Sequence, residues 1–271
     1  MKNKKRLDVL LVEQMYAETR SKAQAIIMAG LDYVNGQKAD KAGMSFDADT
    51  AQIEVRGQAC PYVSRGGLKL EKALRYFGVK PEGYVCSDSG ASTGGFTDCL
   101  LQNGAKKIYA VDVGESLLHE RLANDSRIIK MDNTNARYLT KSEFPERIDG
   151  VTIDVSFISL KLILSAIKEI LGAEGDGLLL IKPQFECEKK NIGKSGIVHP
   201  SSHSKIVKSI VDFCLEIGLF PVEIINAPIR KGKNIEYVLH VKPTETGKVS
   251  SLVIENAVKE FVKLNSLGEL K

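Results

Sequence analysis

Tyr84-Val85-Cys86-Ser87-Asp88-Ser89-Gly90-Ala91-Ser92-Thr93-Gly94-Gly95-Phe96 is the segment on which the fold turns. Its apolar start (84–86) reads as a strand, its Gly/Ser/Thr run as a tight turn, and residues 96–102 as the helix that the turn opens. At such a strand-to-helix turn glycine lets a ligand approach the backbone closely. In open α/β sheets ligands sit at the carboxyl ends of the strands. An acid at the strand end, Asp88, can pair with an ammonium group. Gly90, Ser92, Thr93, Gly94, Gly95 and Phe96 form the cradle around it.

Beyond this segment, apolar runs recur at 107–111, 151–153, 178–181, 222–225 and 237–241, with helix-like stretches at 160–171 and 203–217 between them. Strands alternating with helices imply parallel βαβ units and a doubly wound, Rossmann-like sheet. The last two runs leave no room for a crossover helix, so they should pair antiparallel. A mostly parallel sheet with an antiparallel final strand is the architecture of common S-adenosylmethionine (SAM)-dependent methyltransferases. Residues 250–267 add a terminal amphipathic helix.

The second strand ends in Asp112-Val113, about twenty residues past the glycine turn, where an acid hydrogen-bonds ribose hydroxyls. Asp132-Asn133, after a third run at 128–130, could hold an adenine amino group. A nicotinamide dinucleotide would share the ribose acid. The spacing Gly90-x-x-x-Gly94-Gly95 is not Gly-x-Gly-x-x-Gly, and together with the closing hairpin it favours SAM.

The other strand ends indicate the methyl acceptor. Amino-group methylation usually shows an Asp/Asn-Pro-Pro-Tyr turn after the fourth strand; this chain has Asp154-Val155-Ser156-Phe157. Carbon-5 pyrimidine methylation needs a well-placed nucleophilic cysteine, and Cys60, Cys86, Cys99, Cys187 and Cys214 do not supply one. Asp154, Lys182 after the fifth strand and Glu236 before the last fall on one edge of the proposed sheet, and Lys69 in the preceding helix can join them. A ribose hydroxyl is a poor nucleophile whose developing alkoxide an ammonium favours. Lys182 is assigned that task and Asp154 its orientation, with Lys69 and Glu236 completing the network. Taken singly, each could be a surface charge or a helix cap; convergence on one pocket makes them a mechanism.

Residues 1–57 have a different rhythm. Leu7, Leu10, Leu11 and Met15 fall at helical spacing. Thr19 or Ser21 can cap a second helix through Ala23, Ile26 and Ile27 that stops at Gly30, and Asn35-Gly36 and 53–55 signal short strands. This is a small α+β domain, separated by a linker (58–65) from the large domain (66–271). Its early basic residues (Lys2, Lys4, Lys5, Arg6, Arg20, Lys22) fit either phosphate contact or plain solvation.

The net charge of +4 permits a nucleic-acid partner without demanding one. Five scattered cysteines, none in a Cys-x-x-Cys pair, and four histidines point to a reduced, metal-free cytoplasmic protein. A secretory leader and a membrane span are not expected.

Ser64-Arg65-Gly66-Gly67-Leu68-Lys69-Leu70, the glycine turn, Asp154-Val-Ser-Phe-Ile-Ser159, Lys182-Pro-Gln-Phe-Glu186 and Gly193-Lys-x-Gly-Ile-Val198 together resemble the TlyA proteins, bacterial rRNA 2′-O-methyltransferases of the "haemolysin" family. The early domain resembles the S4 RNA-binding domain, and the rest an FtsJ-type ribose methyltransferase domain. The resemblance covers essentially the whole chain. It places the family's Lys-Asp-Lys-Glu tetrad on Lys69, Asp154, Lys182 and Glu236. It implies SAM as cofactor, cytidine 2′-O-methylation of large-subunit and in some members small-subunit rRNA, and an effect on capreomycin-type antibiotic sensitivity. It also implies RNA contacts by Arg6, Arg20, Lys22 and Arg65 and action on ribosomal subunits; a monomer is the separate expectation for the chain. Two alternatives remain, a non-catalytic RNA-binding assembly factor and a membrane-active haemolysin.

Overall fold

The computed structural model describes residues 3–17, 19–55, 60–229 and 232–268. The chain divides into two compact units, Met1–Pro61 and Tyr62–Lys271. Lys2 and positions 58 and 59 of the expected linker lie outside the described residues.

In the small unit, β1 (Lys4–Arg6) runs into α1 (Leu7–Glu13) and α2 (Arg20–Ala29), followed by β2 (Asp32–Val34), β3 (Gln37–Lys38), β4 (Ser45–Asp47) and β5 (Ile53–Val55). β1 pairs with β4, and β2 lies between β3 and β5, all antiparallel. Leu7, Leu10, Leu11, Ala23, Ile26 and Ile27 form its core. Thr19 is the cap of α2, accepting from the Lys22 amide, and Gly30 closes the helix at φ 68°. The Asn35-Gly36 turn joins β2 to β3 with both residues at positive φ. Met15 departs from the expected helical face. α1 ends at Glu13, the chain reverses at Met15 (φ 61°), and this side chain is 91% exposed instead of joining Leu11 in the core.

The large unit opens with α3 (Gly66–Phe77), β6 (Val85–Ser89), α4 (Gly95–Gln102), β7 (Lys107–Val111), α5 (Glu120–Ala123) and β8 (Ile128–Met131). It continues with β9 (Ile148–Ile153), α6 (Lys161–Ile170), β10 (Leu171–Ile181), α7 (Pro183–Glu186), α8 (His203–Glu216), β11 (Phe220–Asn226), β12 (Tyr237–Lys242) and α9 (Ser251–Ser266). The seven strands are ordered β11-β12-β10-β9-β6-β7-β8. β10, β9, β6, β7 and β8 pair parallel, while β12 inserts antiparallel between β10 and β11. The expected closing hairpin is present, with the last strand interior and β11 at the edge. Near-continuous apolar runs such as Leu178–Ile181 are buried on both faces, as strands covered by helices must be. α8 and α9 pack together and add Ile210, Val211, Ile254 and Val258 to the core. Tyr62, read from sequence as linker, is buried in this unit, and the neighbouring Val63 amide donates to Asp98.

Candidate active site

The glycine turn folds back on the sheet edge, with the amides of Gly90 and Ala91 both donating to the Val111 carbonyl. Gly90 has φ 84°, and a Cβ there would stand 2.7 Å from the Asp154 carbonyl oxygen, so only glycine lets these strand ends meet. Asp112 follows β7. Its carboxylate accepts from the Ser92 amide at 2.8 Å and the Gly114 amide at 2.9 Å, which aims it into the cleft. A cavity of about 280 Å³ opens there, lined by Gly90, Ser92, Asp112, Val113 and Leu117 on one side and by Thr134, Asn135 and Ala136 on the other. Size, glycine floor and ribose-directed acid fit a nucleoside methyl donor such as SAM.

Two expectations for this pocket are corrected. Asp88 lies one residue before the end of β6 but does not line the cleft. β6 runs through Ser89, which places Asp88 inside the sheet with no exposure. Its oxygens accept from Thr97 Oγ1 at 2.7 Å and Thr152 Oγ1 at 2.8 Å, so it ties α4 and β9 to β6. Burial and the Asp154 carboxylate push Asp88 up to about 6, against the pull of the two threonine hydroxyls. Asp132 and Asn133 do not line the cavity either. Asp132 accepts from the Ser116 amide and Asn133 turns the chain at φ 53°, so the next three residues face the pocket.

The rest of the turn braces the helix and the acceptor side. Gly94, at φ 91°, caps α4 and abuts Leu118 and Leu122, while the Thr93 carbonyl accepts from His119. Gly95 lies against Ser64 and the Gly66-Gly67 backbone, and Phe96 is buried beside Gly66.

A second cavity of about 340 Å³ shares Gly90, Ser92, Asp154 and Ser156 with the first and extends past Thr93, Arg65, Lys69 and Lys182. Lys69, Asp154 and Lys182 of the expected four line this cavity, and Glu236 joins them through Lys69. Lys182 Nζ lies 2.6 Å from Asp154, Asp154 reaches Lys69 Nζ at 3.7 Å, and Lys69 pairs with Glu236 at 2.7 Å. The series alternates cation and anion across three elements and a loop. α3 supplies Lys69, the ends of β9 and β10 supply Asp154 and Lys182, and Glu236 immediately precedes β12. All four side chains are at most a quarter exposed, so the charges are mutually compensated in a partly desolvated cleft.

Three neighbours were not anticipated from the sequence. Ser156 Oγ accepts from Lys182 Nζ at 2.8 Å. Glu186 accepts from the Ser159 hydroxyl and the Leu160 amide, fixing the loop before α6. Phe157, 91% exposed and held at φ 64°, stands 5.0 Å from the Phe185 ring, which in turn lies under Lys182. An exposed aromatic in a left-handed conformation is costly in isolation, and that strain is visible only in the fold.

In the small unit Arg6 and Arg20 are partly exposed and both contact Asp8. Lys22 is exposed in the first turn of α2. Arg65 is exposed at the start of α3 and lines the second cavity of the large unit. Among the described residues no cluster of His, Cys, Asp and Glu could hold a metal ion, and no helix is long and apolar enough to cross a membrane.

The pattern of the FtsJ-like methyltransferase family matches residues 62–242, and that of the S4 domain residues 5–49. A Bacillus subtilis protein described as a candidate rRNA methyltransferase, YqxC, is 44% identical over 96% of this chain and 93% of its own length. The 16S/23S rRNA (cytidine-2′-O)-methyltransferase TlyA of Mycobacterium tuberculosis is 36% identical over 97% of this chain and 98% of its own. A solved Streptococcus thermophilus structure, described as a candidate hemolysin, superposes with TM-score 0.75 at 40% identity and covers 99% of this chain and 98% of that one. Sheet order, glycine turn, charged tetrad and near full-length relatives agree: the chain belongs to the FtsJ-like methyltransferase family and carries an S4 domain ahead of its methyltransferase domain.

Proposed function

We propose that this protein is a SAM-dependent methyltransferase that modifies the 2′-hydroxyl of cytidine in large-subunit ribosomal RNA, with small-subunit rRNA as a second substrate. The observation that carries this reading is the continuous series Lys182–Asp154–Lys69–Glu236, whose first three members line a cavity beside the glycine turn while Glu236 stands behind Lys69. The relatives named as cytidine-2′-O-methyltransferases support the choice of acceptor.

SAM, when bound, supplies a methyl group on a sulfonium that already carries a good leaving group. The residues of the chain do the rest. Asp112 accepts from the ribose of the donor, and the backbone at Gly90 lets the donor lie close to the strand ends. Lys182, held by Asp154 and Ser156, presents its ammonium where the acceptor oxygen develops charge. Lys69, itself paired with Glu236, holds Asp154 from the far side, so Lys182 is not drawn away from the cleft. Much of the rate comes from in-line positioning, which a rigid, compensated charge network favours. The exposed Phe157 offers a face on which an unstacked base can rest once the nucleotide leaves its helix.

Arg6, Arg20, Lys22 and Arg65 supply phosphate contacts, individually modest and salt-sensitive. The protein acts in the cytoplasm as a monomer without a metal, and loss of its methyl groups alters sensitivity to capreomycin-type antibiotics. Purified protein, radiolabelled SAM and ribosomal subunits from an unmodified strain test the reading. Label should enter large-subunit rRNA as alkali-resistant 2′-O-methylcytidine. Label on a base, or binding of rRNA and SAM without transfer, contradicts it, and the latter points to a non-catalytic assembly factor.

A further inference from the structure

We infer that Asp8 is a positioning residue that holds Arg6 and Arg20 as one preorganised pair of guanidiniums for RNA backbone phosphates. Asp8 is the second residue of α1 and has no solvent exposure, an unusual place for an acid. Its carboxylate takes Arg6 Nε at 2.9 Å and Arg6 Nη2 at 3.0 Å, which is bidentate, then Arg20 Nη2 at 2.8 Å and Gln24 Nε2 at 3.0 Å. Arg6 comes from β1, and Arg20 and Gln24 come from successive turns of α2. One buried anion therefore joins three elements of the small unit.

The arginines are not consumed by this contact. Their side chains remain 50% and 57% exposed, while the acid between them is sealed off. Each guanidinium has five N–H donors in a fixed fork, so the pairing with Asp8 uses one edge and leaves donors for an outside ligand. A free arginine must lose rotamer entropy when it meets a phosphate; here that ordering is already complete in the folded protein. The pair carries two positive charges against one buried negative charge, and only the positive ones face solvent. A backbone phosphate, planar-sided and anionic, is the ligand class such forks accept bidentately. The Arg6 guanidinium and burial act oppositely on Asp8, and the arginine wins, holding the carboxyl well below the usual carboxylate range. The arrangement thus persists at any working pH.

This inference rests on the reading that the small unit contacts rRNA, and the test separates the two. Affinity for ribosomal large subunits is measured against salt for the full-length protein and for Asp8→Asn, Arg6→Gln, Arg20→Gln and the combined variants. Asp8→Asn raises the net charge by one, so a surface acting by charge alone binds RNA more tightly. Positioning requires the opposite: binding weakened about tenfold, with a salt dependence shallower by up to about 0.7–0.9 for each phosphate no longer neutralised. In the Asp8→Asn background the arginine substitutions should then add less than about twofold, because the pair is already disordered.

Should Asp8→Asn melt the small unit, as its thermal transition will show, Arg6→Lys with Arg20→Lys carries the test. That variant keeps every charge and leaves Asp8 in place but removes the forks, and should weaken binding about fivefold or more. Asp8→Asn binding as tightly as the parent or more tightly, or the lysine variant binding unchanged, overturns the inference. If Arg6→Gln and Arg20→Gln have no effect on binding, it is the RNA-contact reading itself that fails.

Discussion

Lys182 Nζ lies 2.6 Å from Asp154 Oδ1, and the other oxygen of the same carboxylate faces Lys69. One acid thus serves two lysines from two elements, and its backbone amide is held by the Ser89 carbonyl at the end of the neighbouring strand. The placement of the reactive charge is therefore a property of the sheet, since β9, β6 and β10 must end at matching heights for the series to close.

Glu236→Gln keeps the volume of the side chain but removes the anion 2.7 Å from Lys69. Lys69 is then left to compete with Lys182 for Asp154. The methyl-transfer rate should fall by about 10- to 100-fold, less than for loss of Lys182 itself, while SAM affinity changes little. Single-turnover transfer and equilibrium SAM binding, measured on the same preparation, check this.

Gly90→Ala meets two obstacles at once, a φ of 84° and an Asp154 carbonyl 2.7 Å from the new methyl group. The backbone strain alone costs about 1–3 kcal/mol, and relief requires moving the Asp154 strand end. A lowered thermal midpoint should accompany loss of both SAM binding and transfer. A folded Gly90→Ala variant with parental SAM affinity would show that the turn is not the donor cradle.

Asp112→Ala should raise the KM for SAM about tenfold or more with a smaller change in kcat. The carboxylate binds the donor in ground state and transition state alike, and its removal leaves the Ser92 and Gly114 amides without their partner. Initial rates across a SAM titration separate the two parameters.

The strand alternation and the hairpin ending were legible because long apolar runs separated by helix-length segments admit few topologies. Three of the four charged residues were legible for a related reason, since chemistry in such sheets gathers at strand ends and Asp154, Lys182 and Glu236 sit beside apolar runs, with Lys69 added from the helix before the sheet. Asp88 was misplaced because Ser87-Asp88-Ser89 carries no hydrophobic signal. Its burial depends on Thr97 and Thr152, the latter 64 positions distant, and local sequence does not register such contacts. Met15 matched the helical period but lies past a helix end set by backbone reversal. Asp132-Asn133 missed by one turn of loop. The role of Asp8 is not legible because two of its partners, Arg20 and Gln24, reach it only through the packing of α1 on α2.

Two buried groups give the stability a pH dependence of opposing signs. His203 is buried, with Nδ1 2.9 Å from the Tyr237 hydroxyl, and burial lowers its pKa from the ordinary 6.5, a Val198 backbone hydrogen bond opposing. The unfolded chain therefore binds the proton first, so this contribution is full above pH 6.5 and is lost as pH falls below it. Asp88, raised by burial from 3.8 to about 6, behaves in reverse: the folded state binds the proton first, and stability gains as pH falls from 6 toward 3.8. Thermal midpoints between about pH 8 and about pH 4 should fall less on acidification in His203→Gln and more steeply in Asp88→Asn than in the parent. Parallel curves for all three proteins would contradict this assignment.

Lys182 is the side chain on which the proposed transfer depends most directly. Methyl transfer from radiolabelled SAM to unmodified large subunits should fall at least about 100-fold in Lys182→Ala, with SAM affinity within about threefold of the parent. Transfer at the parental rate by a Lys182→Ala protein that binds SAM normally would contradict the claim that this lysine, held by Asp154, favours the developing charge on the acceptor oxygen.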